Sequence, residues 1–110
     1  MAEYKGSSKF VIPRPILLKD GVNIAAMAGN ITMTYRSSMY QLLTNASGSH
    51  RNLVLPAEKS GASFWIKNQS GSTHNISVND PSGSGVVSLT PGETGHVVCD
   101  GTSWTVMLKG

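Results

Sequence analysis

The sequence predicts an all-β domain of short strands, and three observations carry that prediction. Ser, Thr and Gly make up 35 of the 110 residues, an excess of small and turn-forming types. Turn signals recur roughly every 10 residues from Ile31 onward. Between them, apolar and polar residues alternate with the two-residue period of a half-buried strand. The length suits one domain with one thin core. A helical bundle and a two-domain enzyme are both excluded.

Residues 1–30 read as an extended N-terminal arm, and residues 31–110 as a small antiparallel β-sandwich or barrel. The centre of the arm is Phe10, Val11, Ile12, Pro13, Arg14, Pro15, Ile16, Leu17 and Leu18. Pro13 and Pro15 forbid helix, cannot donate in a central strand and hold their neighbours extended. Six large apolar residues in such a segment need a surface to lie on, either this domain's own sheet edge or a partner. Each forgoes something like 1.5–3 kcal/mol if it stays in water. Asp20-Gly21 is a turn signal, and Val22 to Met27 alternates weakly.

Within the domain, Ile31 to Arg36 alternates as a strand, followed by Tyr40 to Thr44 and by Arg51 to Leu55, which Pro56 stops. Ala62 to Lys67 puts Phe64 and Ile66 on one face and Trp65 on the other. Asn68 to Gly71 reads as a hairpin-type loop into Thr73 to Val78. Asn79 to Gly83 turns into Gly85 to Leu89, and Thr90 to Glu93 turns again. Gly95 to Cys99 and Ser103 to Leu108 close the chain as a hairpin around Asp100-Gly101. By this alternation Trp65 and Trp104 both fall on the polar side of their strands, which marks them as candidate interface aromatics, while Trp104 also reads as a tryptophan closing the base of the sandwich and Trp65 also reads as core.

Little in the sequence points to chemistry. Nine basic and six acidic residues leave a net charge of +3, with the basic residues scattered singly. No stripe collects them, so no nucleic-acid surface is expected. The lone Cys99 permits no intrachain disulfide and reads as a small buried hydrophobe. No run approaches ~18 apolar residues, so no membrane contact is expected. Without an apolar leader behind the N-terminal charges, the chain is expected to fold in a reducing cytoplasm. His50, His74 and His96 lack the paired spacing of a zinc site, and Asn79 to Ser82 has too few carboxylates for calcium. No serine sits on a Gly-x-Ser-x-Gly elbow, and the glycines around Ser82 and Ser84 precede no helix that could hold phosphate. No catalytic residue, metal or cofactor is expected, and the chain does not read as an enzyme. Four Asn-x-Ser/Thr triplets, at Asn30, Asn45, Asn68 and Asn75, are put down to a composition rich in those residues.

From Tyr40 to Leu108 the turns come in a recognisable order. Asn52-Leu-Val-Leu-Pro56 precedes Gly61-Ala-Ser-Phe-Trp-Ile-Lys-Asn68, then Ser70 to Val78, then Leu89-Thr-Pro-Gly-Glu93, and last Val98-Cys-Asp-Gly-Thr-Ser-Trp104. This order resembles a β-module of tailed-bacteriophage virion proteins, present in head decoration proteins, tail fibres and spikes. A short chain with an apolar arm resembles a head decoration, or capsid cement, protein more than a fibre. The resemblance implies a β-tulip-like domain made in the host cytoplasm and placed on the capsid exterior. Its implied partners are the major capsid protein and further copies of itself, as a homotrimer. On that reading Phe10 to Leu18 form a capsid-contact arm, and many modest contacts clamp neighbouring capsid subunits together. The alternative is a tail-fibre or receptor-binding module that recognises host surface glycan through an exposed tryptophan.

Overall fold

Apolar residues spaced two apart and bounded by Gly, Pro and Asn form nine short strands and no helix among the described residues, which are 21–45, 50–71 and 73–110 of this computed structural model. Strands β1 (Val22–Ala26), β3 (Tyr40–Thr44), β5 (Ser63–Asn68), β8 (Thr94–Cys99) and β9 (Trp104–Lys109) make one sheet, ordered β1-β3-β5-β8-β9. Strands β2 (Ile31–Thr32), β4 (Arg51–Val54), β6 (Ile76–Asn79) and β7 (Gly85–Leu89) make the second, ordered β2-β4-β6-β7. The expected all-β class holds, as a small two-sheet sandwich.

The pairing differs from the expected antiparallel pattern. Over its first six strands the chain alternates between the two sheets, and each strand lies parallel to the one before last. Val22 pairs with Tyr40 and Tyr40 with Trp65 in one sheet, while Ile31 pairs with Leu53 and Leu53 with Val78 in the other. Antiparallel pairing enters with β7, β8 and β9, which pair with β6, β5 and β8. The sheets are therefore mixed. A turn signal marks where a strand ends, and it does not say whether the chain doubles back or crosses to the other sheet.

Two local expectations are corrected for that reason. Asn68 to Gly71 is a crossing between sheets, not a hairpin. Asn68 is buried, its Nδ2 donates to the Leu89 carbonyl at 2.9 Å and to the His74 carbonyl at 3.2 Å, and its Oδ1 accepts the Ser70 N–H at 3.0 Å. These bonds carry the chain across the sandwich edge. The strand expected over Ile31 to Arg36 stops at Thr32. Met33 still donates to the Val54 carbonyl at 2.8 Å, but the Thr34 hydroxyl then accepts the Arg36 N–H at 3.1 Å and the Thr34 carbonyl accepts from Ser37. A local side-chain bond has displaced the ladder.

Between the sheets, Leu43, Phe64, Ile66, Val97 and Trp104 meet Leu53, Leu55, Ile76, Val78 and Leu89 in one core. Gly95 faces inward, where a Cβ would stand 3.1 Å from Cδ2 of Leu89, so its missing side chain leaves room for that leucine. Strand β7 also packs beside β8 and β9, which joins the sheets along that side. Residues 22–26, grouped with the arm on sequence grounds, are β1 of the five-stranded sheet. The candidate contact residues Phe10 to Leu18 lie outside the described residues.

Candidate functional site

The pairing register assembles a surface that no single strand reveals. Val22 lies beside Tyr40, Tyr40 beside Trp65, Trp65 beside His96 and His96 beside Leu108, in one row across all five strands. Alternation points this row outward, because Leu43, Phe64, Ile66 and Val97 on the same strands fill the core. A second outward row holds Ile24, Leu42, Lys67 and Thr94. Ile24 is 74% exposed, Leu108 55%, Val22 50% and Tyr40 38%. The Trp65 and His96 rings stack with centroids 4.0 Å apart and planes 3° from parallel. Tyr40, Leu42, Trp65, Lys67 and Thr94 line a shallow, almost wholly apolar groove of about 200 Å³.

A β-bulge decides which side chains of β9 join this face. Val97 pairs with Val106, but the next residue, His96, pairs with Leu108, so Met107 is the extra residue. Trp104 and Val106, opposite the inward-facing Cys99 and Val97, turn inward, and beyond the bulge Leu108 turns outward. Trp104 is 7% exposed, its Nε1 donates to the Pro56 carbonyl at 3.0 Å, and its ring centroid lies 5.9 Å from that of Phe64. The two tryptophans grouped as interface candidates are thus separated. Trp65 stands on the outer face, and Trp104 ties β9 to the segment after β4 inside the core.

The remaining polar residues singled out by sequence serve the fold. His50 and His74 meet edge to face at 5.8 Å, and the His50 Nδ1 accepts the Asn75 N–H at 2.9 Å. His96 lies on the Trp65 ring, so the three histidines do not converge. No group of three or more His, Cys, Asp or Glu among the described residues could hold a metal ion. Of the Asn-x-Ser/Thr triplets, Asn45 and Asn68 are fully buried. The Asn45 N–H donates to the Ser70 hydroxyl oxygen at 2.6 Å, and its Nδ2 donates to the Asn75 carbonyl at 3.2 Å. Cys99 is buried.

Three carboxylates have pKa values held below their ordinary range by turn hydrogen bonds. Asp80 is lowered by the Ser82 hydroxyl and then the Ser84 amide, Glu93 by the Thr90 amide, and Asp100 by the amides of Ser103 and Thr102. Each closes a loop, and none lines the groove. Tyr35, an exposed aromatic, is fixed otherwise: its hydroxyl donates to the Ala57 carbonyl and the Lys59 ammonium sits 5.5 Å from its ring centroid. Desolvation raises its pKa first, followed by Cys99 and Glu58.

The outer face therefore offers apolar and aromatic contact with Lys67 as its cation in the groove. Sequence reading found Trp65 and missed Val22, Ile24, Tyr40, Leu42, His96 and Leu108. A partial signal was there. Tyr40 and Leu42 are two apart on the side of β3 opposite Leu43, but nothing local says that β3 lies beside β5. No known protein family and no curated protein matches the chain.

Proposed function

We propose that the chain is a structural protein of a phage particle, which binds the outer surface of the capsid and holds neighbouring major capsid subunits together. The observation that carries this reading is the outward row Val22, Tyr40, Trp65, His96 and Leu108, with Ile24 and Leu42 beside it. A contiguous apolar face of this kind marks a protein contact, and Trp and Tyr are the residues that most often anchor one. The resemblance of Asn52 to Pro56, Gly61 to Asn68 and Val98 to Trp104 to virion β-modules supplies the class of partner. Each copy, arranged as a homotrimer, contributes a modest contact through this face and through the arm residues Phe10 to Leu18, and the lattice multiplies it. Glycan recognition through Trp65 has less support. His96 covers one face of that ring, and the groove lacks the set of polar groups that would orient sugar hydroxyls.

The test is co-sedimentation of the purified chain with particles of the phage whose genome encodes it, with its copy number counted by quantitative mass spectrometry. Saturable binding in a fixed ratio to the most abundant particle protein, lost in Trp65→Asp and kept in Ser77→Asp on the opposite sheet, is the expected result. Absence of the chain from particles, or binding indifferent to Trp65→Asp, overturns it.

A further inference from the structure

A second cavity lies where β1 and β3 of one sheet face β2 of the other, on the inner side of the strands and away from the outer row. Its volume is about 310 Å³, and Ile31 and Met33 form one wall. The opposite wall is polar. Asn23 and Gln41 are register partners on the inward side of β1 and β3, two residues before Ala25 and Leu43, which belong to the core. Gln41 is 4% exposed; its Oε1 accepts the Asn23 Nδ2 at 2.7 Å, and its Nε2 donates to the Ser38 carbonyl at 2.8 Å. Two apolar side chains of similar shape would fill these positions with little or no loss of stability, so folding alone does not account for the amides. The connection from β2 to β3 adds a cation. After Thr32 the chain turns tightly: the Thr34 carbonyl accepts the Ser37 N–H at 3.0 Å, the Thr34 N–H donates to the Ser37 hydroxyl at 3.0 Å, and the Thr34 hydroxyl accepts the Arg36 N–H at 3.1 Å. These bonds fix the backbone of Arg36 and Ser37, both of which line the cavity, and no Asp or Glu lines it.

We propose that this cavity binds a carboxylate, held by the Arg36 guanidinium and by the side-chain amides of Asn23 and Gln41. An amide nitrogen carries two N–H groups, and among the described residues Asn23 Nδ2 and Gln41 Nε2 each make one hydrogen bond, which leaves each a second to give. The planar fork of an arginine matches the two oxygens of a carboxylate, and the amide donors satisfy lone pairs that the fork does not reach. Arg36 brings the one positive charge among the lining residues, which suits a singly charged anion better than a doubly charged phosphate. The break in β2 acquires a reason on this reading. Had the strand run on to Arg36, alternation would have set its residues along the ladder, whereas the Thr34 turn brings Arg36 and Ser37 to the same cavity as the amides of the other sheet. The carboxylate belongs either to a small free acid or to an Asp or Glu side chain of a partner protein. None of the residues lining the outer groove lines this cavity, so the two sites are independent.

The experiment is nitrogen-resolved NMR of the intact chain, following the side-chain amide signals of Asn23 and Gln41 and the Nε–H of Arg36. The probes are sodium propionate, a free acid, and N-acetylglutamate methylamide, an acidic side chain flanked by peptide groups. Both are titrated at constant ionic strength, with sodium sulfate as the comparison. The expected result is saturable movement of all three signals with a carboxylate, and binding weakened by at least about tenfold in Arg36→Gln. Arg36→Lys keeps the charge without the fork and is expected to fall between the two. Arg36 is exposed, so both variants are expected to fold. Binding of propionate as tight as that of the glutamate derivative, or tighter, assigns the site to a free acid; tighter binding of the glutamate derivative assigns it to a partner's side chain. Absence of saturable shifts with both carboxylates overturns the proposal. So does binding that is unchanged in Arg36→Gln, or an equal response to sulfate. The titration uses no particles, so its failure and the failure of the particle-binding reading are separate results.

Discussion

The outer faces of the two sheets are built by the same alternation, and the rows of one are mostly polar where those of the other are mostly apolar. Across the four-stranded sheet, Asn52, Ser77 and Ser88 form one outward row, with Thr32, Val54 and Asn79 in the next. Across the five-stranded sheet the equivalent rows are Val22, Tyr40, Trp65, His96 and Leu108, and Ile24, Leu42, Lys67 and Thr94. Each sheet already fills the shared core with its inner face, so folding does not require the apolar outer residues of one and the polar residues of the other. Stability explains the inner faces, and the difference between the outer faces points to contact with something else.

The comparison predicts first that the two tryptophans part company. Trp104→Ala removes a core ring and orphans the Pro56 carbonyl, and is expected to cost about 3–5 kcal/mol. In a domain of this size that lowers Tm by more than about 10 °C. Trp65→Ala is expected to cost no more than about 1 kcal/mol while abolishing particle binding. Thermal melts of both variants check this. Equal losses would make the outer row part of the folding core and remove the basis of the docking reading.

The second prediction contrasts a buried asparagine with an outer one. Asn68→Ala leaves the His74 and Leu89 carbonyls and the Ser70 amide without their partner, at an expected cost of about 1–3 kcal/mol in urea unfolding. Asn52→Ala, on the outer row of the four-stranded sheet, is expected to stay within about 0.5 kcal/mol of the parent. A similar cost at both positions would mean that the polar outer face is also structural.

How much of this was legible follows from what is local. Strand-forming segments such as Gly85 to Leu89 could be read because alternation and flanking turns are properties of the segment itself. Phe64 inward and Trp65 outward followed from the same alternation. The parallel pairing of Tyr40 with Trp65 depends on a crossing through the other sheet, and no local residue encodes it. Trp104 was assigned to the polar side, whereas it pairs with the buried Cys99 and shares the inward side with Val106; the bulge at Met107 lies beyond both and redirects only Leu108. Asn68 looked like a loop residue because Asn usually is one, and its three partners lie at the sandwich edge. The outer apolar row escaped notice because it has one member per strand.

The last and smallest effect concerns the loops at the ends of the two sheets. Asp80 closes the β6–β7 loop of the four-stranded sheet, while Glu93 and Asp100 serve the five-stranded one, Glu93 also lying 3.7 Å from the Lys109 ammonium. All three carboxyls titrate below their ordinary values of 3.8 for Asp and 4.5 for Glu, because turn hydrogen bonds favour the charged form. A group whose folded pKa is depressed stabilises the fold fully above its unfolded pKa and loses that contribution as pH falls through the folded one. Stability is therefore expected to be flat from neutral pH down to about 5 and to decline below it. The groups are solvent-exposed, so each contributes little. Melting temperatures of the parent and of Asp80→Asn, Glu93→Gln and Asp100→Asn between neutral and acid pH measure it. Each variant is expected to start slightly lower at neutral pH and to lose less on acidification. A variant that starts lower but falls in parallel with the parent would locate the acid sensitivity in the charge balance of the whole chain. The loops would then contribute equally to both sheets, and the contrast between the two halves would rest on the outer rows alone.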